Sequence, residues 1–352
     1  MKVLMMAGGT GGHVIPGLAI AEALIERQHD VTWLGTKSGF EAQLIPQAGY
    51  PIEYLEIQGV RGRGLKHWLM APIRLYKSVM QARKILKSLT PDLVIGMGGY
   101  ASAPGGLAAR LLGIPLIIHE QNARAGSANR LLSYFAKRIL TAFPDVFDKE
   151  NVVVTGNPVR ASLLNSQPTD SSTEKLNILI LGGSQGAQAL NRHLPTLLNQ
   201  LSSINIWHQT GEKNLEATQQ DYKKNGLQEA RVESYIDDMN KAYQWADLVI
   251  CRAGAMTIFE LMAMGKPSIL IPYPHAIGDH QTLNANYLVE NGAAVLLPEE
   301  ELSSGSILSE INVMQNDPQY LQTLAHRAHA LYPKNSLNAI VTECEEVFDH
   351  GG

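Results

Sequence analysis

The chain has 352 residues, of which 45% are hydrophobic and 18% are charged. This composition predicts two well-packed domains and excludes a disordered chain. The formal net charge of −4 at pH 7 provides no general attraction to nucleic acid, so no nucleic-acid partner is expected. The two cysteines, Cys251 and Cys344, stand far apart, which excludes a disulfide framework. The chain starts on a strand and has no apolar run long enough to cross a bilayer, so we expect neither a signal peptide nor a membrane span.

The first feature along the chain is a glycine turn, residues 8–12, between the apolar strand Lys2–Met6 and a helix. We predict Pro16 in the first turn of that helix. Glycines let the backbone approach an oxygen-rich ligand closely, and the free N–H groups at a helix start attract negative charge. A similar turn, Gly182–Ala187, follows an apolar strand in the second half. One such opening at the head of each half predicts two nucleotide-binding domains.

Strands alternate with helices along the whole chain, which predicts an α/β fold with parallel sheets and crossover helices. The predicted strands are Lys2–Met6, Val31–Leu34, Leu93–Gly96, Leu116–His119, Arg138–Thr141, Val152–Thr155, Ile178–Leu181, Ile204–His208, Leu248–Cys251, Ser268–Ile271 and Ala294–Leu297. The clearest predicted helices are Pro16–Arg27, Ile73–Leu89, Pro104–Leu112 and Lys334–Val347. Residues 157–175 are polar and carry two prolines, so we interpret them as the linker between the domains.

Four further loops follow predicted strands, where open sheets place their chemistry. They are Gly96–Ala103, His119–Asn122, Cys251–Thr257 and His275–Gln281. Small residues at 253–255 would admit a diphosphate to a helix start, and Glu260 could accept hydrogen bonds from both hydroxyls of a ribose. Asp279 is expected to cap the helix that follows it. The convergence of these loops in both halves indicates a phosphate-bearing ligand.

The motifs together resemble the MurG family of peptidoglycan glycosyltransferases. The segments that carry this resemblance are Met5–Gly17, Gly96–Gly105, His119–Asn122, Gly156–Arg160, Gly182–Ala187 and Cys251–Thr257 with Glu260. The resemblance implies the GT-B fold, in which two Rossmann-like parallel-sheet domains face each other across a cleft. It implies transfer of N-acetylglucosamine (GlcNAc) from UDP-GlcNAc to lipid I, the undecaprenyl-linked muramyl peptide, which forms lipid II. The expected domains are residues 1–160 for the acceptor and membrane, residues 161–333 for the donor, and a helix at 334–352 that packs back on the first domain.

The same resemblance implies individual roles. Arg160 and Ile236 would bound the uracil, Glu260 would take the ribose hydroxyls, and Gln281 with His280 would read the sugar. The diphosphate would be held by Ser184 and by the helix start at Ala255, Met256 and Thr257. Ile258 and Phe259, the next two residues of this helix, would also belong to the donor site. Thr10, Gly11, Gly12 and Asn122 would close over the donor. Gly98, Gly99 and Tyr100 would contact the acceptor.

The implied chemistry is an inverting displacement by the C4 hydroxyl of the acceptor sugar, which needs a proton acceptor and a stabilised leaving group. His13 is the preferred base because imidazole titrates near neutral pH. Glu120 is the alternative base, and a hydrogen-bonding role without proton transfer stays open for His13. The chain has no Asp-x-Asp pair, so we expect no cofactor and no tightly bound metal, while a loosely bound divalent ion stays open.

Residues 57–91 contain no acid and eight basic residues. At helical spacing Leu75, Val79, Ala82, Leu86 and Leu89 form one stripe, which is expected to face the core. The opposite side of the helix carries basic residues, among them Arg74, Lys77, Lys84 and Lys87. Apolar and aromatic residues are interleaved with them, namely Ile73, Tyr76 and Met80. A further apolar group comes just before this stretch and comprises Leu65, Trp68, Leu69 and Met70. This pattern predicts that Leu65–Lys87 docks on an anionic membrane surface as a peripheral contact. The resemblance implies that this surface is the cytoplasmic face of the inner membrane.

Three other classes fit parts of the pattern. A nicotinamide-dependent dehydrogenase would need Gly-x-Gly-x-x-Gly and an acid at the end of the second strand, whereas Trp33–Thr36 carries none. A UDP-GlcNAc 2-epimerase would share the fold and the donor, but would leave the basic apolar segment without a role. A non-catalytic nucleotide-sugar or phospholipid-binding module would leave His13 and Glu120 without a role.

Overall fold

The computed structural model describes residues 1–9, 11–56, 65–164, 175–183 and 186–350, with the side chains of 65–71 and 161–162 also outside the description. Of the predicted site residues, Thr10 and Ser184 lie outside these ranges, as do the side chains of Leu65, Trp68, Leu69 and Met70 and most of the predicted linker. The chain divides into two compact units, residues 1–158 with 335–352, and residues 159–334. This division falls two residues before the predicted boundary at 160, so Arg160 belongs to the second unit.

The described strands are β1 Lys2–Met6, β2 Asp30–Thr36, β3 Ile52–Leu55, β4 Leu93–Gly96, β5 Leu116–Glu120, β6 Arg138–Thr141, β7 Val152–Val154, β8 Leu176–Leu181, β9 Ile204–Gln209, β10 Arg231–Glu233, β11 Leu248–Cys251, β12 Ser268–Leu270 and β13 Val295–Leu296. The described α-helices are α1 Gly11–Glu26, α2 Glu41–Gln47, α3 Leu65–Leu89, α4 Ser102–Leu112, α5 Ser127–Leu132, α6 Ala161–Leu164, α7 Gln188–Leu198, α8 Leu215–Lys224, α9 Met239–Trp245, α10 Ala255–Met264, α11 His280–Glu290, α12 Ser306–Asn316, α13 Pro318–Ala330 and α14 Ser336–Asp349. Short 3-10 helices lie at Glu212–Asn214, Ile277–Asp279 and Glu299–Ser304.

The first unit is built on a parallel sheet of seven strands in the order β3-β2-β1-β4-β5-β6-β7. Alternate residues of β1 enter opposite apolar layers, because side chains of a strand alternate between its two faces. Val3 and Met5 pack with residues of α1 and α14, while Leu4 and Met6 pack with residues of α3 and α4. The central strands are therefore covered on both faces, as a parallel sheet requires.

The second unit is a parallel sheet of six strands in the order β10-β9-β8-β11-β12-β13. Ile178 and Ile180 of β8 pack with Ile250 of β11 and with apolar residues of α7 and α12. The predicted α/β class with two parallel sheets is confirmed.

Helix α14 lies on the first unit, where it is held by apolar contacts and ion pairs. Ile340, Val341 and Cys344 are buried against the layer that contains α1. Glu345 pairs with Arg27 at 2.7 Å and with His29 at 3.0 Å.

Two local predictions are wrong. Helix α1 begins at Gly11, so Pro16 lies in its second turn rather than its first. Leu75 of α3 is 38% exposed, although the apolar stripe placed it in the core, because the stripe becomes buried only from Ser78 and Val79 onward. Within the described part of the chain, no helix is long and apolar enough to cross a membrane.

Candidate active site

Each sheet has one point where the strand order reverses, and ligands of open α/β sheets bind at such points. In the first unit the reversal lies between β1 and β4, and in the second between β8 and β11. The predicted glycine turns follow β1 and β8, and two further predicted loops follow β4 and β11. The topology therefore brings these loops together in pairs within each unit.

The glycine turn after β1 is held by a buried carboxylate. Glu41, at the start of α2, is fully buried. Its Oε2 accepts from the Gly9 backbone N–H at 3.1 Å, and its Oε1 accepts from the Thr36 N–H and hydroxyl, both at 2.8 Å. The turn before α1 is therefore already hydrogen-bonded to a carboxylate of the protein itself, that of Glu41.

The loop after β4 packs directly against this turn. A Cβ atom placed on Gly99 would lie 2.0 Å from the Gly8 carbonyl oxygen, and the φ of Gly99 is +82°, so only glycine fits there. A Cβ on Gly98 would lie 3.0 Å from the His13 ring, so the imidazole packs on the Gly98 backbone. Ser102 fixes the loop by accepting from the Gly98 N–H at 3.1 Å. Next to this contact, Tyr100 is 40% exposed.

The polar segment His119–Asn122, predicted as a loop, is an organised network whose first two residues, His119 and Glu120, belong to the end of β5. The Glu120 carboxylate is buried and accepts from Asn122 N–H at 3.1 Å, Gly126 N–H at 3.0 Å and Asn129 Nδ2 at 3.0 Å. Burial lowers the pKa of His119 to about 4, and its Nε2 lies 3.1 Å from the Gly156 carbonyl oxygen. The neutral imidazole donates that bond, so His119 connects the ends of β5 and β7.

The glycine turn after β8 is framed by neutral groups. A Cβ on Gly186, whose φ is +75°, would lie 2.0 Å from the Thr210 carbonyl oxygen. Gln209 Nε2 donates to the Gly183 carbonyl at 3.2 Å. In the described part of this turn, Gly182, Gly183 and Gly186, no carboxylate accepts from the backbone.

Helix α10 starts immediately after β11 and presents its first turn. Gly254 is its N-cap residue, and the N–H groups of Ala255, Met256 and Thr257 precede the first carbonyl partner inside the helix. Ile258 and Phe259, also predicted to touch the donor, have fully buried side chains, and the Ile258 N–H donates to the Gly254 carbonyl. The backbone N–H groups without a carbonyl partner inside the helix therefore belong to its first three residues.

Glu260 lies one turn further along α10 in a buried pocket. Tyr243 from α9 donates to its Oε2 at 2.9 Å, and Arg160 Nη2 lies 4.0 Å from its Oε1. Burial raises the pKa of Glu260, while Arg160 and the Tyr243 hydrogen bond act in the opposite direction. The structure thus brings Arg160 and Glu260 together, and the Arg160 charge favours the ionised carboxylate.

The loop after β12 carries Gln281 at the start of α11. The Tyr273 N–H donates to Gln281 Oε1 at 2.9 Å, which fixes the orientation of the amide. His280 Nδ1 lies 2.9 Å from the Ile277 carbonyl oxygen. Asp279 occupies the N-cap position as predicted, but its side chain accepts from the Thr282 hydroxyl instead of a backbone N–H. Ile236 is buried.

The sequence pattern assigned no role to Glu41 or Tyr243, and it placed Arg252 in a loop without its partners, the Ile271 and Pro272 carbonyls and the Glu299 carboxylate. Each acts across a long sequence separation, as in the pair of Gly9 and Glu41, and no short motif encodes such a contact. The one feature of the sequence that these three residues share is a polar side chain next to an apolar segment. Among the described residues no group of three or more His, Cys, Asp or Glu side chains has an arrangement that could hold a metal.

Comparison with family models identifies the family of the chain. The glycosyltransferase family 28 N-terminal domain matches residues 3–141, and the C-terminal domain of the same family matches residues 177–339. The chain belongs to glycosyltransferase family 28. The family 28 matches include both glycine turns and α10.

Relatives of this family 28 chain cover nearly its whole length. A Shewanella denitrificans protein named UDP-N-acetylglucosamine--N-acetylmuramyl-(pentapeptide) pyrophosphoryl-undecaprenol N-acetylglucosamine transferase is 46% identical over 98% of this chain and 97% of its own length. The crystal structure of Acinetobacter baumannii MurG has a TM-score of 0.85 and 40% identity, and covers 98% of this chain and 99% of that one.

A UDP-GlcNAc 2-epimerase from Neisseria meningitidis, bound to UDP-GlcNAc, has a TM-score of 0.69 at 15% identity and covers 98% of this chain and 100% of that one. At that identity the likeness shows only a shared fold. The two parallel sheets and the likeness to MurG establish the GT-B fold that the resemblance implied.

Proposed function

We propose that the chain transfers GlcNAc from UDP-GlcNAc to the C4 hydroxyl of the muramyl sugar in lipid I, which forms lipid II. The name of the Shewanella relative describes this transfer, and that relative matches nearly the whole chain. The observation that carries the proposal is the donor-type site of the second unit, where a helix start and a buried carboxylate stand one turn apart on α10. A diphosphate at the helix start would place a ribose near Glu260.

The second unit holds the donor through groups of different chemistry. The N–H groups of Ala255–Thr257 receive the diphosphate, because a helix start attracts negative charge. Glu260 accepts from the ribose hydroxyls, and Arg160 and Ile236 border the uracil. Ser184 is the expected hydroxyl partner of the diphosphate. These backbone donors stabilise the leaving UDP without a resident metal, and a loosely bound divalent ion would bind the diphosphate itself.

His13 is the proposed base, in preference to Glu120. The Glu120 carboxylate is buried and already accepts from Asn122 and Gly126 of the loop after β5 and from Asn129 of α5. His13 is only half-buried and packs on Gly98, beside Tyr100 of the proposed acceptor site. We therefore assign Glu120 to holding Asn122 and the loop after β5, and His13 to proton transfer.

The reaction is a single displacement. The C4 oxygen of the acceptor bonds to the anomeric carbon while the bond between that carbon and the diphosphate oxygen breaks. The hydroxyl proton passes to the His13 imidazole, and the electron pair leaves with UDP. Gly98, Gly99 and Tyr100 bind the acceptor sugar, while Thr10, Gly11, Gly12 and Asn122 contact the donor.

Membrane contact through α3 is the second part of the proposal. Tyr76 is 66% exposed and Ile73 49% exposed. Lys77, Lys84 and Lys87 are also exposed and share this face at helical spacing. Exposed apolar groups among lysines suit an anionic lipid surface, where each basic residue contributes about 1 kcal/mol. The chain would then act at the cytoplasmic face of the inner membrane.

The test of the transfer is UDP release from UDP-GlcNAc with and without a lipid-linked muramyl acceptor. Acceptor-dependent release of UDP, with a disaccharide product, is the expected result. Release without acceptor, together with a sugar epimerised at C2, would instead identify a 2-epimerase. Binding of UDP-GlcNAc without turnover would identify a binding module, and either result would overturn the proposal.

The test of membrane contact replaces Arg74, Lys77 and Lys84 with Gln. Sedimentation with vesicles that contain phosphatidylglycerol should fall, and transfer to a long-chain acceptor should slow, whereas transfer to a short-chain acceptor should stay unchanged. The matched control replaces Lys213, Lys223 and Lys224, which are exposed on the second unit and change the net charge equally. Equal losses with both acceptors would mean that the face serves folding or catalysis.

A further inference from the structure

Arg252 lies in the loop between β11 and α10, where an arginine would ordinarily neutralise a diphosphate. The structure uses its guanidinium differently. Nη1 donates to the carbonyl oxygens of Ile271 and Pro272, each at 3.1 Å, and Nη2 pairs with the Glu299 carboxylate. The side chain of Arg252 is only 13% exposed. Its donors are therefore directed to the segment after β12 and to the 3-10 helix that begins at Glu299.

The segment that Arg252 holds leads directly to Gln281. The guanidinium carbon of Arg252 lies 5.5 Å from the centre of the Tyr273 ring. The backbone N–H of the same tyrosine donates to Gln281 Oε1 at 2.9 Å. Because this bond occupies the amide oxygen, the two N–H donors of Gln281 Nε2 are left for a ligand.

We infer that Arg252 and Glu299 form a pair that positions Gln281 and thereby sets how strongly the enzyme prefers GlcNAc to other sugars in the donor. The pair anchors Ile271–Tyr273, Tyr273 orients the Gln281 amide, and the amide donates to a sugar hydroxyl. The inference rests on the proposed function, in which Gln281 reads the sugar. The diphosphate is bound elsewhere, at the start of α10, so loss of the pair leaves UDP affinity intact.

The geometry explains why the charge and shape of both partners matter. A guanidinium can serve two adjacent carbonyls with one nitrogen and a carboxylate with the other, which an ammonium group cannot reproduce. Glu299 is half-buried beside Arg252, whereas the next residue, Glu300, is exposed. Glu300 therefore provides a matched control that differs in its contacts and not in its chemistry.

The experiment compares Glu299→Gln with Glu300→Gln in the full chain. We measure kcat and KM with UDP-GlcNAc and with UDP-GalNAc, and the Kd of UDP by calorimetry. For Glu299→Gln the preference for UDP-GlcNAc over UDP-GalNAc should fall about tenfold, the effect of one well-placed hydrogen bond, while the Kd of UDP changes by less than about twofold. Glu300→Gln should match the wild type in all three measurements.

A second variant keeps the inference testable if Glu299→Gln unfolds. Gln281→Glu retains an acceptor for the Tyr273 N–H but removes both donors, so it should show the same loss of sugar preference with unchanged UDP affinity. Weaker UDP binding in Glu299→Gln, equal to its loss with UDP-GlcNAc, would overturn the inference, as would an unchanged sugar preference. A wild type that binds UDP without transferring sugar would refute the proposed function instead, so the two failures are distinguishable.

Discussion

The two glycine turns look alike in the sequence but differ in electrostatics. The turn after β1 is bound from inside by the buried Glu41 carboxylate, which accepts from Gly9. The turn after β8 is framed by neutral groups, the Thr210 carbonyl and the Gln209 amide. The first turn therefore already holds a carboxylate, whereas the described part of the second turn holds none, and we propose that the donor diphosphate binds near the second turn.

The difference shows that a glycine turn before a helix does not by itself identify a phosphate-binding site, because a side chain of the protein can occupy the same backbone donors. A second anion beside Glu41 would be repelled, because like charges at close range disfavour each other strongly in a buried setting. The two turns can therefore divide the work, with the diphosphate at the second unit and proton transfer by His13 at the first. Replacing one group at a time in the first or in the second unit tests this division.

His13→Ala should have the largest effect. Loss of a general base lowers turnover by about 10²- to 10⁴-fold, while the Kd of UDP-GlcNAc stays within about twofold, because in the proposed function the uracil, ribose and diphosphate are bound by the second unit. Steady-state kinetics and calorimetry on one preparation measure both quantities. The control is His326→Ala, an exposed histidine on α13. Retention of most of the activity would remove His13 from the mechanism.

Glu260→Ala should have the next largest effect, on binding rather than turnover. Hydrogen bonds from ribose hydroxyls to a charged carboxylate persist through the reaction, so their loss raises the KM for UDP-GlcNAc by about 10- to 100-fold. Glu290→Ala, exposed on α11, is the control. An unchanged KM with a reduced kcat would contradict the assignment.

Glu41→Gln should destabilise the first unit by about 2 to 3 kcal/mol, because the amide NH₂ would face the Gly9 N–H and leave buried donors unpaired. Transfer should slow while the Kd of UDP stays unchanged. Hydrogen exchange of the β1 and β2 amides measures the stability of this unit alone, and Glu53→Gln on the adjacent strand β3 is the control. Weaker UDP binding without loss of stability would mean that the first turn is part of the donor site.

The smallest predicted effect is a pH dependence of the stability of the second unit, measured beside the glycine turn that follows β8. Burial lowers the pKa of His208, which precedes Gln209 on β9, to about 3. The unfolded chain therefore binds a proton that the folded chain excludes, and stability falls as the pH drops below about 6.5, by about 2 kcal/mol at pH 5. Exchange of the β9 amides at pH 7.5 and pH 5 measures this loss. In His208→Gln the pH dependence should flatten, and an equally steep dependence there would refute the account.

The centre of each sheet could be predicted from sequence, because buried parallel strands such as Leu93–Gly96 and Leu248–Cys251 are short apolar runs between turns. The edge strands β3 and β10 were missed. Each is short and is interrupted by charge, one residue (Glu53) in β3 and two (Arg231 and Glu233) in β10, which leaves no continuous apolar run to detect.

The candidate site was predictable where one local motif carries the group, as for Glu260 after the helix start. It was not predictable where a contact joins distant segments. Glu41 meets Gly9 only because β1 and β2 are neighbours in the sheet, and Arg252 meets Glu299 across separate segments of the second unit. Leu75 shows the converse limit, since a helical stripe does not reveal at which residue of the helix burial begins.

Hydrogen exchange of the full chain, with and without saturating UDP, tests the central claim most directly. UDP contains the uracil, ribose and diphosphate of the donor but not the GlcNAc that is transferred. We expect slower exchange at Ala255–Thr257 and at residues 182–187, with unchanged exchange at Gly8 and Gly9. Slower exchange confined to the first turn, with none at Ala255–Thr257, would contradict it.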